Sequence, residues 1–456
     1  WYDLIAAVDP NDPNKVIVGA INAHMSTNGG TSWSQISKWS NNPNMGTQPY
    51  SYIHADHHNI VFKPGSSTEV IFGTDGGVSW TNNLANAATS AVFQDRNNGY
   101  NVTQFYAGGL NPLAGNNIMV AGAQDNGTQR YSSTGVNSTS EISGGDGAYC
   151  FIDQTNGIGV VTSYVYNNYY YHNNSGANYV RKIIDNSDAG MFINPADLDD
   201  LNNILYTSLR AGEIYKLSNY NLASYSLDSI SITGLSGMPT AIKVSTFSNS
   251  ANVYVGDVSG NLVKINNANG SNPTFTNLTA TAFPNGTISS IEFGTSESEI
   301  IVTFKNYGVT SVYYSSNGGT TWASKEGNLP DMPVRWALIN PNNTDEVILA
   351  TEVGVWATTN FSATSPSWTP SNSGLANVRV DMLQYRTSDN TVMAITHGRG
   401  VFTSNAWSNA TSNQLPLRKI REIKGVDANG VPDSLNYACK IRGIVTSIDF
   451  DGNAGY

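Results

Sequence analysis

The chain has 456 residues, of which only 12% are charged, and it carries a formal net charge of −11 with just 23 lysines and arginines. That balance excludes the concentrated basic face a nucleic-acid binder needs. The absence of any apolar run of about 18 residues excludes a membrane-spanning helix, and two cysteines exclude a disulfide scaffold.

Glycine (43), tyrosine (24) and many Asn and Ser residues fill the place of Glu and Lys. Such a composition predicts short strands joined by tight polar turns. One phrase recurs: an apolar strand, a Pro- or Asn-rich turn, a second strand, a Gly turn and a third strand. It is written LIAAVDPNDPNKVIVGA at 4–20, NIVFKPGSSTEVIFGTDGGVSW at 59–80 and ALINPNNTDEVILATEVGVWATTN at 337–360, with a weaker copy at 382–405. Copies start about every 47 residues, the period of a β-propeller blade. Nine starts fit either most of a nine- or ten-bladed ring, or a seven-bladed ring with part of a preceding one. The chain begins at Trp1 without Met and stops after the turn DFDGNAG. It therefore reads as a mature protein or a fragment, truncated at its N-terminus or part of a larger ring.

STNGGTSW at 26–33 returns as SSNGGTTW at 315–322, about six periods later. Glycines allow positive φ here, Asn bonds its own turn and Trp supplies a large apolar wedge. The set Ser26, Asn28, Gly30, Trp33 and Ser315, Asn317, Gly319, Trp322 resembles the Asp-box of sialidases, sortilin-type receptors and xyloglucan-degrading endoglucanases, with Asn in place of Asp. The resemblance implies a structural role on the outer rim, away from any active site.

Candidate chemistry follows in chain order. In HADHH (54–58), an unbroken strand would put His54, Asp56 and His58 on one face and His57 on the other. Three such groups could hold Zn, but one strand cannot easily wrap them round a single ion, so no metal is expected there. GAQDNGTQ (122–129) and SGGDGAYC (143–150) each place an Asp, Asp125 and Asp146, in a Gly-rich turn. THGRG (396–400) offers His397 and Arg399 at the matching point of the last repeat. A propeller gathers equivalent turns round its axis, so Asp56, Asp125, Asp146 and His397 could ring one opening. Two carboxylates there could cleave a glycosidic bond. The tyrosine-rich run 164–174 is either an alternating strand or an exposed aromatic platform at Tyr169 and Tyr170. Arg130, Arg210, Arg335 and Arg399 fall on separate repeats, a poor match to a sialidase. Asp427, Asn429 and Asp433 share a loop that faintly resembles a calcium site.

The ordered series WYDLIAAVDPNDPNKVIVGA, YIHADHHNIVF, GTDGGVSW, NVTQFY, GAQDNGTQ and GGDGAYC resembles secreted sortilin-like propeller proteins of Bacteroidota, which commonly leave the cell by type IX secretion. The likeness covers 1–408. Residues 409–424 read as a linker, and 425–456 as the start of an OB-like β module. The expected protein is an all-β, multi-bladed Asp-box propeller, secreted or on the outer surface. It would bind glycan or protein ligands, with the type IX machinery as a further partner. The alternative is a glycoside hydrolase, endoglucanase- or sialidase-like, using carboxylates at the channel mouth.

Overall fold

The computed structural model describes residues 3–407, apart from 43, 137, 138 and 248–250, and beyond them the paired strands Leu417–Arg418 and Lys440–Ile441. The expected linker and OB-like module, Cys439 and the Asp427 loop lie outside the described residues, that strand pair aside. Nine antiparallel sheets follow one another, eight of four strands and a ninth of three. One 3₁₀ turn, Leu84–Asn86, is the only helical element among the described residues.

The innermost strands of the nine blades are Ile5–Val8, His57–Phe62, Phe105–Leu110, Cys150–Ile152, Ala196–Asp199, Pro239–Val244, Ile288–Phe293, Val334–Ile339 and Val380–Arg386. Each is short because a Gly, Asn or Asp turn ends the alternating apolar run after a few residues. Blades 3 to 9 form a ring, in which the inner strand of blade 9 packs against that of blade 3. Blades 1 and 2 pack on each other through Ile17, Met25, Ile60 and Phe72, outside that ring. The architecture is a seven-bladed propeller preceded by two blades of other affiliation, the second of the two arrangements open from the repeat count.

The closure is built from side chains and packing. Met382, Met393 and Ile395 of blade 9 share one core with Phe105, Ala107 and Ala121 of blade 3. Gly108 permits it: a Cβ there would lie 2.5 Å from the Val120 carbonyl and 2.9 Å from Ile395 Cδ1. Arg386, 6% exposed, reaches across to the carbonyls of Asn111 and Asn116 at 3.2 and 2.7 Å. Asp389 holds its guanidinium through two contacts of 2.7 Å. Asp389 also accepts the Gly115 N–H at 2.8 Å, and the Arg386 hydrogen bond with this backbone donor holds its carboxyl far below the usual range.

The two octapeptides are superimposable hydrogen-bond circuits. Ser26 Oγ accepts the Gly30 N–H at 2.9 Å, and Ser315 Oγ that of Gly319 at 2.8 Å. Asn28 and Asn317 Oδ1 each accept the amide four residues on at 2.9 Å. Gly30 and Gly319 both sit at φ +87°, a conformation that disfavours side chains. Their tryptophans differ. Trp322 packs on Phe283 and donates to the Leu278 carbonyl at 3.1 Å, wedging blade 7 on blade 6. Trp33, on blade 1, is 43% exposed and donates to Gly30 of its own turn, so the expected wedge is absent there. Trp322→Ala is therefore expected to cost about 3 kcal/mol and Trp33→Ala under about 0.5 kcal/mol, read as the gap between their chemical-denaturation curves.

Candidate functional site

In every blade the inner strand starts, and the second strand ends, at the same edge of the sheet. In blades 3 to 9 the turns at that edge surround the ring's opening, and blade 2 brings its own turns against that of blade 3. Asp75 follows Val70–Thr74 of blade 2, Asp125 follows Met119–Ala123 of blade 3, and Asp146 precedes the inner strand of blade 4. Blade 2 meets blade 3 here: the Asn126 amide donates to the Asp75 carbonyl at 3.0 Å, and His54 Nε2 contacts the Asp125 carbonyl at 2.8 Å.

Carboxylate oxygens of Asp56, Asp75 and Asp125 all lie within 4.8 Å of one another. Asp125 N–H donates to Asp146 Oδ1 at 3.0 Å, and His58 Nε2 stands 2.5 Å from Asp75 Oδ1. Asp56 and Asp125 hold φ of +61° and +59°, strained for side chains larger than Gly and typical of sites whose surroundings over-determine them. Desolvation, then the charges of Asp146 and Asp75, push the Asp125 carboxyl up to about 6. Desolvation, with Asp75 and the buried Asp3 beside it, also raises Asp56. Like charges brought this close cannot all ionise. The oxygen-only donor set would suit a hard cation such as Ca²⁺ better than a transition metal.

A cavity of about 710 Å³ opens over His58, Asp75 and Asp125, its lining continued by Tyr100, Gln104 and Gln124. Tyr106 extends the surface: its hydroxyl donates to Gln124 at 2.9 Å, and its ring lies 4.9 Å from that of His397, tilted by 43°. Beyond His397 lie Asp381, Arg379 and Arg335. Arg379 Nε is 2.9 Å and Arg335 Nη1 3.2 Å from Asp381. Further along the inner strands, Lys243 pairs with Glu292 at 2.9 Å and Trp336 donates to the same carboxylate at 2.9 Å. Glu292 is only 7% exposed, and the open space above these withdrawn charges is termed the bowl.

Asp56, Asp125 and Asp146 thus come together, as their turns predict, with His397 on the far side of Tyr106. Several other expectations are corrected. HADHH is not one continuous strand: Asp56 at positive φ breaks the alternation, and the strand starts only at His57. His57 is fully buried with its ring 5.3 Å from Phe72, and burial lowers its pKa to about 4, so it offers nothing to a ligand. His54 is occupied by the Asp125 backbone. Tyr169 is fully buried, its hydroxyl on the Asn194 carbonyl at 3.2 Å, and Tyr170, half-buried, points the other way toward Tyr179. Tyr169 therefore belongs to the core and not to an exposed platform. Arg399 is exposed on the turn, its carbonyl accepting from Asn101 at 2.6 Å. Asp75 was legible in GTDGG, which has the same Gly-flanked grammar as AQDNG. Asp3, Tyr106, Arg379 and Asp381 carry no motif.

No family model and no curated protein matches this sequence. Among solved structures, the crystal structure of a GH74 xyloglucanase from Xanthomonas campestris is similar in fold, with TM-score 0.56 and 17% identity over 88% of this chain. The chain spans 58% of that enzyme's length. No helix among the described residues is long and apolar enough to cross a membrane.

Proposed function

We propose that this chain is a secreted or outer-surface propeller of the Asp-box kind that hydrolyses glycosidic bonds in the bowl where blade 2 meets blade 3. The observation that carries this is Asp125: a carboxyl lifted to about 6, on strained backbone, in a cavity beside a second carboxylate. A carboxyl with that pKa holds a proton near neutrality and can give it to a departing sugar oxygen. Asp75, fixed by His58, is the partner carboxylate, and Asp146 positions the Asp125 turn through its N–H. The likeness in fold to a xyloglucanase supports a glucan-backbone polysaccharide as first probe. Resemblance to secreted Bacteroidota propellers supports export by the type IX route.

Each of Asp56, Asp75 and Asp125 has an oxygen within 4.8 Å of the others, too close to leave the attacking water of an inverting pair its room of roughly 6.5–9.5 Å. The expected product therefore keeps the anomeric configuration of the substrate. Proton NMR of the first product from xyloglucan and cello-oligosaccharides checks this, and the inverted anomer would rule out the Asp125–Asp75 pair. A second reading, a propeller that binds glycan or a surface protein without turnover, is favoured by the bonds of His54 and Asp146 to backbone of the Asp125 turn. Binding to a glycan array with no reducing ends released over a day would select it.

A further inference from the structure

The bowl has two walls of opposite sign. The acidic one is formed by Asp75, Asp125 and Asp146 on blades 2 to 4. Opposite it, blades 7 to 9 present Lys305, Arg335 and Arg379, with His397 between. Lys305 directly follows the second strand of blade 7, Ile300–Phe304, and its backbone N–H bonds the Thr287 carbonyl at 3.1 Å, beside the start of that blade's inner strand. Arg335 and Arg379 stand at the equivalent edge of blades 8 and 9.

These three cations face only two anions. Arg335 is held by Glu352 at 2.6 Å, and both arginines share Asp381. His397 reaches Asp381 at 3.6 Å. Lys305 stands apart. Lys305 is exposed, and among the described residues its ammonium makes no hydrogen bond or ion pair. Its surroundings are nonetheless confining: crowding by the blade walls, then the charge of Arg335, lower its pKa. Among the described residues this ammonium, unlike the two guanidinium groups, has no acidic partner. Asp381, the acid whose charge reaches it, is already shared by both arginines. An exposed cation without such a partner is free to meet an incoming anion, whose charge would also offset its repulsion from Arg335 and Arg379.

We propose that Lys305, backed by Arg379 and Arg335, binds a carboxylate carried on the glycan, so that the bowl takes a uronate-containing chain. This rests on the hydrolytic reading only for the place where the chain lies, since binding itself needs no turnover. A sugar chain crossing from Lys305 past His397 and Tyr106 would present a glycosidic oxygen to Asp125. Tyr106 suits the middle of that path, as its ring offers a sugar an apolar face and its hydroxyl a polar edge. The chain's net charge of −11 does not oppose this, because exposed charges beyond about 8–10 Å are screened at physiological salt.

The test titrates the full chain calorimetrically with an oligogalacturonate, with the same oligosaccharide as its neutral methyl ester, and with a sulfated neutral oligosaccharide. The acid form should bind at least about tenfold tighter than the ester, a margin of about 1.4 kcal/mol. K305Q should erase that margin while keeping the parent's melting temperature, because the side chain makes no internal bond, and K305R should restore part of it. Equal binding of acid and ester, or a margin that survives in K305Q, overturns the proposal. Sulfated chains binding as tightly as the uronate overturn the assignment to a carboxylate. Preference for the acid form without any bond cleavage would leave this proposal standing and remove the hydrolytic one.

Discussion

Asp125→Asn will cut glycosidic turnover by at least about a hundredfold, the usual worth of a positioned general acid, while glycan binding persists. Asn keeps the size and the turn geometry but has no proton to donate. In the parent, the rate should fall as pH rises through about 6, where Asp125 loses its proton. Stability moves in the same direction. The folded pKa lies above the unfolded value of 3.8, so the folded state holds the proton more tightly. That contribution is complete below about 4 and is lost as pH climbs through 6. At pH 7 to 8 the parent carries a crowded set of like charges. Asp125→Asn removes one, and should melt at a higher temperature than the parent there while matching it near pH 4. A variant that is inactive and melts lower at pH 7.5 would mark Asp125 as a structural cap.

Arg386→Ala should destabilise the ring by about 3–5 kcal/mol, the range for removing one partner of a buried ion pair. The loss comes from three places at once. Asp389 is left with an uncompensated charge, the Asn111 and Asn116 carbonyls lose a donor, and the seam between blades 9 and 3 loses its polar lock. Replacing both partners with apolar residues should cost less than the single change, because no lone charge then remains. Denaturant titration of the single and double variants checks this. Equal stability of Arg386→Ala and the parent would mean that the seam is held by packing of Phe105, Met382 and Ile395 alone.

The fold was legible because it is written many times. A period of about 47 residues and a turn spelled twice with the same letters leave few alternatives. The number of blades in the ring was not legible, because closure depends on Gly108, Arg386 and Asp389, which occur once and belong to no repeat. The acidic wall was half legible. Asp125 and Asp146 stood out in Gly-rich turns, and the topology brings such turns together. The basic wall had no sequence signature, since Lys305, Arg335 and Arg379 come from three blades and are gathered only by the ring. Tyr169 misled because a run of tyrosines looks the same whether the strand is at the rim or in the core. Burial was decided by the neighbours Val161, Ile184 and Leu205, none of them local.

A seam locked by side chains also dictates when the protein can become whole. The groups that meet at Arg386 and Asn111 are 275 residues apart, among the most non-local of its contacts, and such contacts form last. At ordinary synthesis rates blade 3 would wait on the order of tens of seconds for its partner. Through that interval Phe105, Ala107 and Ala121 present a bare apolar flank that the finished ring conceals. The hazard to this chain is therefore concentrated before completion, and substitutions at the seam should be felt first as poor yield of folded protein.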